Sequence, residues 1–303
     1  MVAFACPILF VFLVAQAVGK VLIFGGDIPG QGSSNLVEVY NTNHPEHNDL
    51  LEEKMLVGTR SSAIAAQNGM VYIAGGYVVD GGMGRASNQL QIYNTNTGKF
   101  DFGPAMSVER EGAAGIFYQG KLVVCGGLDL QDEQLSSCEQ FDPNSQTWQP
   151  FAALDEPRSF FSLVVHDNQL YAIGGASNQQ SCAKLNGAQW QKVAPLPSPV
   201  WAASANNHYV PEIIACGGEE METGLPTSNC WSYNPVENTW SKWSSMGQKR
   251  SMFTLLNVSG ELFAFGGAKK GDVSVEVFHK NKGWTAAPPL KMGRSQAAVV
   301  LVQ

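Results

Sequence analysis

The chain has 303 residues, 26 acidic and 19 basic side chains, a formal charge of −7 and only 15% charged residues. No basic stripe runs through it, so neither nucleic acid nor an anionic membrane surface is an expected partner. The length alone allows two domains, but the internal pattern argues for one.

Residues 1–17, MVAFACPILFVFLVAQA, carry no charged side chain and end in the small-x-small site Ala15-Gln16-Ala17. They read as a cleaved secretory signal peptide, although no Lys or Arg follows Met1. A membrane anchor and a strand compete with that reading. The apolar run is barely long enough to span a bilayer, and VAQAVGKVLIFGG resembles SAIAAQNGMVYIAGG further along.

From there the chain repeats itself. Apolar runs end in paired glycines at Gly25-Gly26, Gly75-Gly76, Gly126-Gly127, Gly174-Gly175, Gly217-Gly218 and Gly266-Gly267, spaced 50, 51, 48, 43 and 49 residues apart. Residues 110–157 show the unit most fully. Gly115 to Tyr118 and Leu122 to Cys125 form a hairpin across Gln119-Gly120. A third strand runs through Cys138 to Phe141, Asp142-Pro143-Asn144-Ser145 makes a turn, and Trp148 marks a fourth strand. Trp190, Trp240 and Trp284 mark the same strand in later copies, and Phe100 in the second. An Arg opens the copies at Arg60, Arg110, Arg158, Arg250 and Arg294, and Trp201 stands there in the fifth. One four-stranded unit has too little core to stand alone, so the copies are expected to pack together.

The repeat resembles the kelch repeat. That resemblance implies an all-β fold: a six-bladed β-propeller of four-stranded antiparallel blades over residues 18–303. The chain ends in RSQAAVVLVQ, a first strand without a second, and Val18 begins a second strand without a first. Joining them closes the ring, with roughly Ser295 to Val302 as the inner strand of blade one. A further strand from residues 1–17 would be surplus.

Six cysteines are present. Cys6 leaves with the leader. Cys125 and Cys138 occupy the same two strand positions as Cys216 and Cys230, on adjacent antiparallel strands, where facing residues come within disulfide range. Two bridges, Cys125–Cys138 and Cys216–Cys230, are expected, and they point to an oxidising compartment. Cys182 is left over, as a buried thiol or a link between chains; a monomer is otherwise expected. Asn257-Val258-Ser259 is a glycosylation sequon at a hairpin tip. The mature chain holds no other run long enough for a transmembrane helix.

In proteins of this kind ligands meet one mouth of the central channel. The resemblance carries over two sets of residues. Ser61, Glu111, Ser159, Ala202, Ser251 and Ser295 follow the opening residue, with Trp201 as an aromatic platform. Asp27, Tyr77, Asp129, Glu219 and Glu220 lie in the loops after the glycines. The repeated arginines are expected to bond carbonyls between blades. No cofactor or metal is expected, because the histidines are scattered and Pro45 breaks up the His44–His47 spacing. The function these readings favour is a secreted, non-catalytic binding module for an extracellular protein or glycan. The alternative is a secreted sugar epimerase or mutarotase of the sialic acid type, with Arg110-Glu111 or Glu219 as acid/base groups.

Overall fold

The computed structural model describes residues 19–80, 82–175, 180–208, 212–267 and 271–302; the expected leader, residues 1–17, lies outside them. The described residues are almost entirely β, with one short 3-10 turn at Pro45–His47. Among them, six sheets are four-stranded and antiparallel, and none closes on itself.

The second strand of each sheet is a continuous apolar run, such as Lys121–Cys125 or Glu261–Phe265, with four of five residues buried. A run of that kind is covered on both faces. Six apolar clusters provide the cover, each between two successive sheets. One joins Val21, Ile23 and Tyr40 near the start of the chain to Phe263, Phe265 and Val277 near its end. Fourth strands such as Thr239–Trp243 are mostly exposed. Their tryptophans still reach the preceding sheet: the indole N–H of Trp148, Trp190, Trp240 and Trp284 donates to the carbonyl of Pro104, Ala152, Ala194 and Ser244 in turn.

The first sheet is built from both ends of the chain. Ala298–Val302 pairs with Lys20–Phe24, which pairs with Val37–Asn41 and then Asp49–Leu50. The observed C-terminal strand is three residues shorter at its start than expected from sequence.

Both expected cysteine pairs are bonded, Cys125 to Cys138 and Cys216 to Cys230, each pair directly opposed in the strand register with Cα atoms 4.1 Å apart. Cys182 is buried and unbridged, facing Ile173. Burial pushes its thiol up to about 11, and at 1% exposure it is out of reach of a second chain. Asn257 is half-buried at the end of Thr254–Val258 and donates to the Asn207 carbonyl.

Four opening arginines are fully buried, at 0–2% exposure. The expectation of bonds between blades is corrected: each spends its guanidinium on its own sheet, because the carbonyls it reaches are those at the end of that sheet's second strand and the start of its third. Arg110 donates to the Gly126 and Ser137 carbonyls, the Ser137 hydroxyl and Glu139. Arg158 does the same with Gly174, Ser181 and Asp155. Arg250 meets Gly266, Ser274 and Glu276, and Arg294 meets Gly25, Leu36 and Glu38. The buried carboxylates also accept from backbone N–H groups, Glu38 from Lys291 and Glu276 from Gly247. A buried charge is tolerable only when paired and hydrogen-bonded. Where the arginine is missing, so is its acid: the second sheet has Thr59 with Gln91, and the fifth has Val200 with Trp231.

Candidate functional site

The site is a ring of short backbone pairings at one end of the innermost strands. Both glycines of each pair have positive φ. Gly75 has φ +65°, and a Cβ there would stand 2.6 Å from the Arg110 carbonyl, so only glycine fits. The next residue then pairs with a residue just past the opening position. Asp27 pairs with Ser295, Tyr77 with Arg60, and Leu128 with Glu111. Glu219 pairs with Trp201, and the Ser251 N–H donates to Gly267. One residue further on, Ser61, Gly112, Phe160, Ala202, Met252 and Gln296 all have positive φ, between 51° and 65°. Their amides link neighbouring sheets: Gly112 donates to Ser61, Phe160 to Gly112, Met252 to Ala202, Gln296 to Met252 and Ser61 to Gln296. These six residues also sit at the entrance to a cavity of about 430 Å³ between the innermost strands, lined by small side chains such as Ala63, Ala114 and Ala298.

This geometry corrects the sequence register in the second sheet. The Gly26 amide donates to the Thr59 carbonyl, as Gly76 does to Arg110, Gly127 to Arg158 and Gly218 to Arg250. Thr59 is therefore the opening residue and Arg60 holds the mouth position; Ser61 lies one step further in. The signal was present in the numbering. Arg110, Arg158 and Arg250 each precede the glycine they bond by 16 residues, whereas Arg60 precedes Gly75 by 15. In the fifth sheet Trp201 likewise holds the mouth position, behind Val200, and Ala202 is buried one step inside. Asp129 is displaced by Leu128, and its carboxylate accepts from the Gln131 and Glu133 amides of its own turn.

The mouth side chains differ sharply. Ser61 donates to Gln296, whose amide donates to the Met252 sulfur. Ser251 donates to Glu219. Trp201 is half-buried and meets Phe160 edge to face, with ring centres 5.9 Å apart. Ser159 is wholly buried, and its hydroxyl has no hydrogen-bond partner among the described residues. Ser295, Asp27, Tyr77, Glu111, Glu219 and Glu220 are half-buried. Burial pushes the Glu111 carboxyl above its ordinary range; Arg60 opposes the shift and Asp132 adds to it. The Arg60 guanidinium lies 4.0 Å over the Tyr77 ring and 3.9 Å from Asp27. Arg110, by contrast, is fully buried and cannot act beside Glu111 on a ligand. Among the described residues no cluster of three or more His, Cys, Asp or Glu side chains could hold a metal ion. No helix of the described residues is long and apolar enough to cross a membrane.

Comparison with known proteins bears on this arrangement. A family model described as the KLHDC2/KLHL20/DRC7 Kelch-repeats domain matches residues 10–175 and 63–267. The Kelch repeat and BTB domain-containing protein 1 of cowpox virus (strain Brighton Red) is 27% identical over 235 residues, covering 74% of this chain and 41% of that protein. Protein A55 of vaccinia virus (strain Western Reserve), also a Kelch repeat and BTB domain-containing protein, is 28% identical with the same coverage. Kelch-like protein 41a of Danio rerio is 28% identical over 153 residues, 50% of this chain and 24% of that one. The chain thus spans about two-fifths of the length of the viral relatives it matches. The solved structure of YjhT superposes with a TM-score of 0.72 at 15% identity, covering 89% of this chain and 98% of that one, a likeness of β-propeller fold alone. With four-stranded antiparallel sheets, a double glycine ending each second strand and a family model spanning most of its length, this chain belongs to the kelch-repeat family.

Proposed function

We propose that the chain is a secreted, six-bladed kelch propeller that binds a protein or glycan at the mouth carrying Arg60, Glu111, Trp201 and Ser295. Six sheets with six clusters in cyclic order support the blade count. The pairing of Ala298–Val302 with Lys20–Phe24, together with the amide links around the channel, supports closure of the ring.

The observation that carries the function is a contrast. Positions that hold the sheets together repeat their chemistry, whereas mouth positions hold a cation, an acid, serines and a tryptophan. Repeated chemistry suits packing, and unrepeated side chains on loops suit recognition. The two bonded cysteine pairs support an oxidising, extracellular setting, with residues 1–17 as its leader and Asn257 as a glycan site. Intact mass of secreted material tests both: loss of residues 1–17 is expected, and a retained Met1 overturns the leader. Binding is tested by capture from extracellular fluid with wild-type protein against E111Q/W201A. A protein held only by the wild type is expected; equal capture by both moves the site elsewhere.

One observation favours a sugar epimerase as the second reading. Glu111, its carboxyl raised by burial and opposed by the charge of Arg60, precedes Gly112, whose N–H donates to the residue after Arg60, an arrangement that suits acid/base work on a sugar ring. Accelerated anomeric exchange of sialic acid, lost in E111Q, would establish it.

A further inference from the structure

We propose that the channel beneath the mouth is a second binding site, one that takes an uncharged, largely apolar molecule carrying a carbonyl oxygen. Free backbone amides of Ile64, Gly115 and Leu163 hold that oxygen. The site goes beyond recognition at the mouth and uses none of the side chains assigned there.

The cavity between the innermost strands, about 430 Å³, falls in the range of roughly 300–1,000 Å³ in which small molecules bind. Among the described residues no ionisable side chain lines it. A charged ligand entering it would leave its hydration behind and gain no counter-charge, which is costly. Nearest the mouth the wall carries Phe160 and Met252, and deeper in it carries Ala65, Ile116, Leu256 and Val300. Such a wall suits an apolar body.

The polar part of the wall is backbone. Each innermost strand is the edge of its sheet, so alternate residues turn their N–H and C=O groups away from that sheet. Gln67 pairs with Met70, Tyr118 with Lys121 and His166 with Gln169 across two-residue turns. Pairs flanking such a turn are hydrogen-bonded, and bonding alternates from there. Counting back along each strand, Ile64, Gly115 and Leu163 fall at non-bonded steps and direct their amides into the channel.

The ring treats this step in two ways. In the fifth and sixth sheets it is occupied by Ala205 and Leu255, and the preceding strand supplies a serine. The Ser162 hydroxyl accepts the Ala205 N–H at 3.0 Å, and the Ser204 hydroxyl accepts the Leu255 N–H at 2.9 Å. Before Ile64, Gly115 and Leu163 the same place is held by Ala298, Ala63 and Ala114. A methyl group cannot accept, and among the described residues no hydrogen bond reaches these amides. Buried N–H groups are almost always paired. Water can pair them, but the alkyl wall above and below gains by excluding water. A carbonyl oxygen has two lone pairs for such amides, while the body it is attached to covers that wall.

Prodan, an uncharged naphthyl ketone whose emission moves to the blue on leaving water, tests this on the oxidised full chain. Anilinonaphthalene sulfonate serves as an anion of similar body. Wild type is expected to bind prodan with a saturable blue shift and to leave the sulfonate in water. A63S/A114S/A298S puts hydroxyls where Ser162 and Ser204 stand in the other sheets; it should melt like wild type and weaken prodan about tenfold. S204A frees the Leu255 amide and should tighten prodan about threefold. E111Q/W201A alters the mouth alone and should bind prodan as wild type does. No shift with wild type, equal binding of the sulfonate, or an affinity that the triple variant leaves unchanged overturns the proposal without touching the mouth reading. If the triple variant does not fold, S204A decides alone, and an affinity unchanged or weakened there overturns the proposal. Loss of prodan from E111Q/W201A places the ketone at the mouth and overturns it too.

Discussion

Replacing Arg110 by Thr removes a guanidinium that is 0% exposed. It strands the Gly126 carbonyl, the Ser137 hydroxyl and the Glu139 carboxylate, and leaves the Ser137 carbonyl with the Gly126 N–H alone; all four acceptors lie within 3.3 Å of the guanidinium. Glu139, at 6% exposure, keeps the Ser107 N–H at 2.9 Å but no cation. Breaking a buried pair from one side costs about 3–5 kcal/mol, a large part of the roughly 5–15 kcal/mol that holds a folded domain. The protein itself supplies the remedy. In the second sheet Thr59 and Gln91 stand at the same two positions. There the Ser62 hydroxyl donates to the Gly75 carbonyl, and the Gln91 amide clasps both the N–H and carbonyl of Val57. Adding E139Q to R110T removes the stranded charge, and A113S offers the Gly126 carbonyl a donor. The void left by the arginine is common to R110T and R110T/E139Q, so it cancels in a double-mutant cycle. A coupling of about 2 kcal/mol is expected, with the triple variant more stable than R110T. Urea unfolding of oxidised protein, followed by tryptophan fluorescence, measures it. If R110T/E139Q loses the sum of the two single losses, the two charges do not depend on each other and the reasoning fails.

Ile173 faces Cys182 in the register that bonds Cys125 to Cys138, so I173C should form a third bridge. It should raise stability by about 2 kcal/mol; a free thiol titre of two in oxidised protein refutes it. In the native chain Cys182, with its thiol at about 11, should resist iodoacetamide until urea is added, and rapid native alkylation would contradict its burial. Because burial raises the Glu111 carboxyl in the folded state, the fold binds that proton more tightly than the unfolded chain does. Its contribution is thus most favourable at low pH and declines as pH rises through the unfolded and then the raised folded pKa. E111Q should gain stability relative to wild type across that window; a difference that does not change with pH refutes it. Trp240→Phe removes the N–H bonded at 2.8 Å to Ala194 and should cost about 1 kcal/mol; no change in urea midpoint would discount that link between sheets.

The sequence by itself determined the sheet units and the cysteine pairing. Both rest on local signals: short apolar runs, double glycines that only glycine can fill, turn residues, and cysteines recurring at fixed strand positions. It also separated packing arginines from mouth positions in kind. It did not settle which residues were which in the second and fifth sheets. Arg60-Ser61 imitates Arg158-Ser159 and Arg250-Ser251 in letters. The spacing of 15 rather than 16 residues from Arg60 to Gly75 hints at the one-residue slip, and the backbone bond from Gly26 to Thr59 establishes it. Side chains alternate in direction along an extended strand, so one residue's slip exchanges a buried structural group for a mouth group. Leu128 displaced Asp129 in the same way, since pairing follows backbone geometry rather than polarity. The stacking of Arg60 on Tyr77 and the burial of Ser159 belong to tertiary structure alone, because each depends on how close the loops of the sheets come in space.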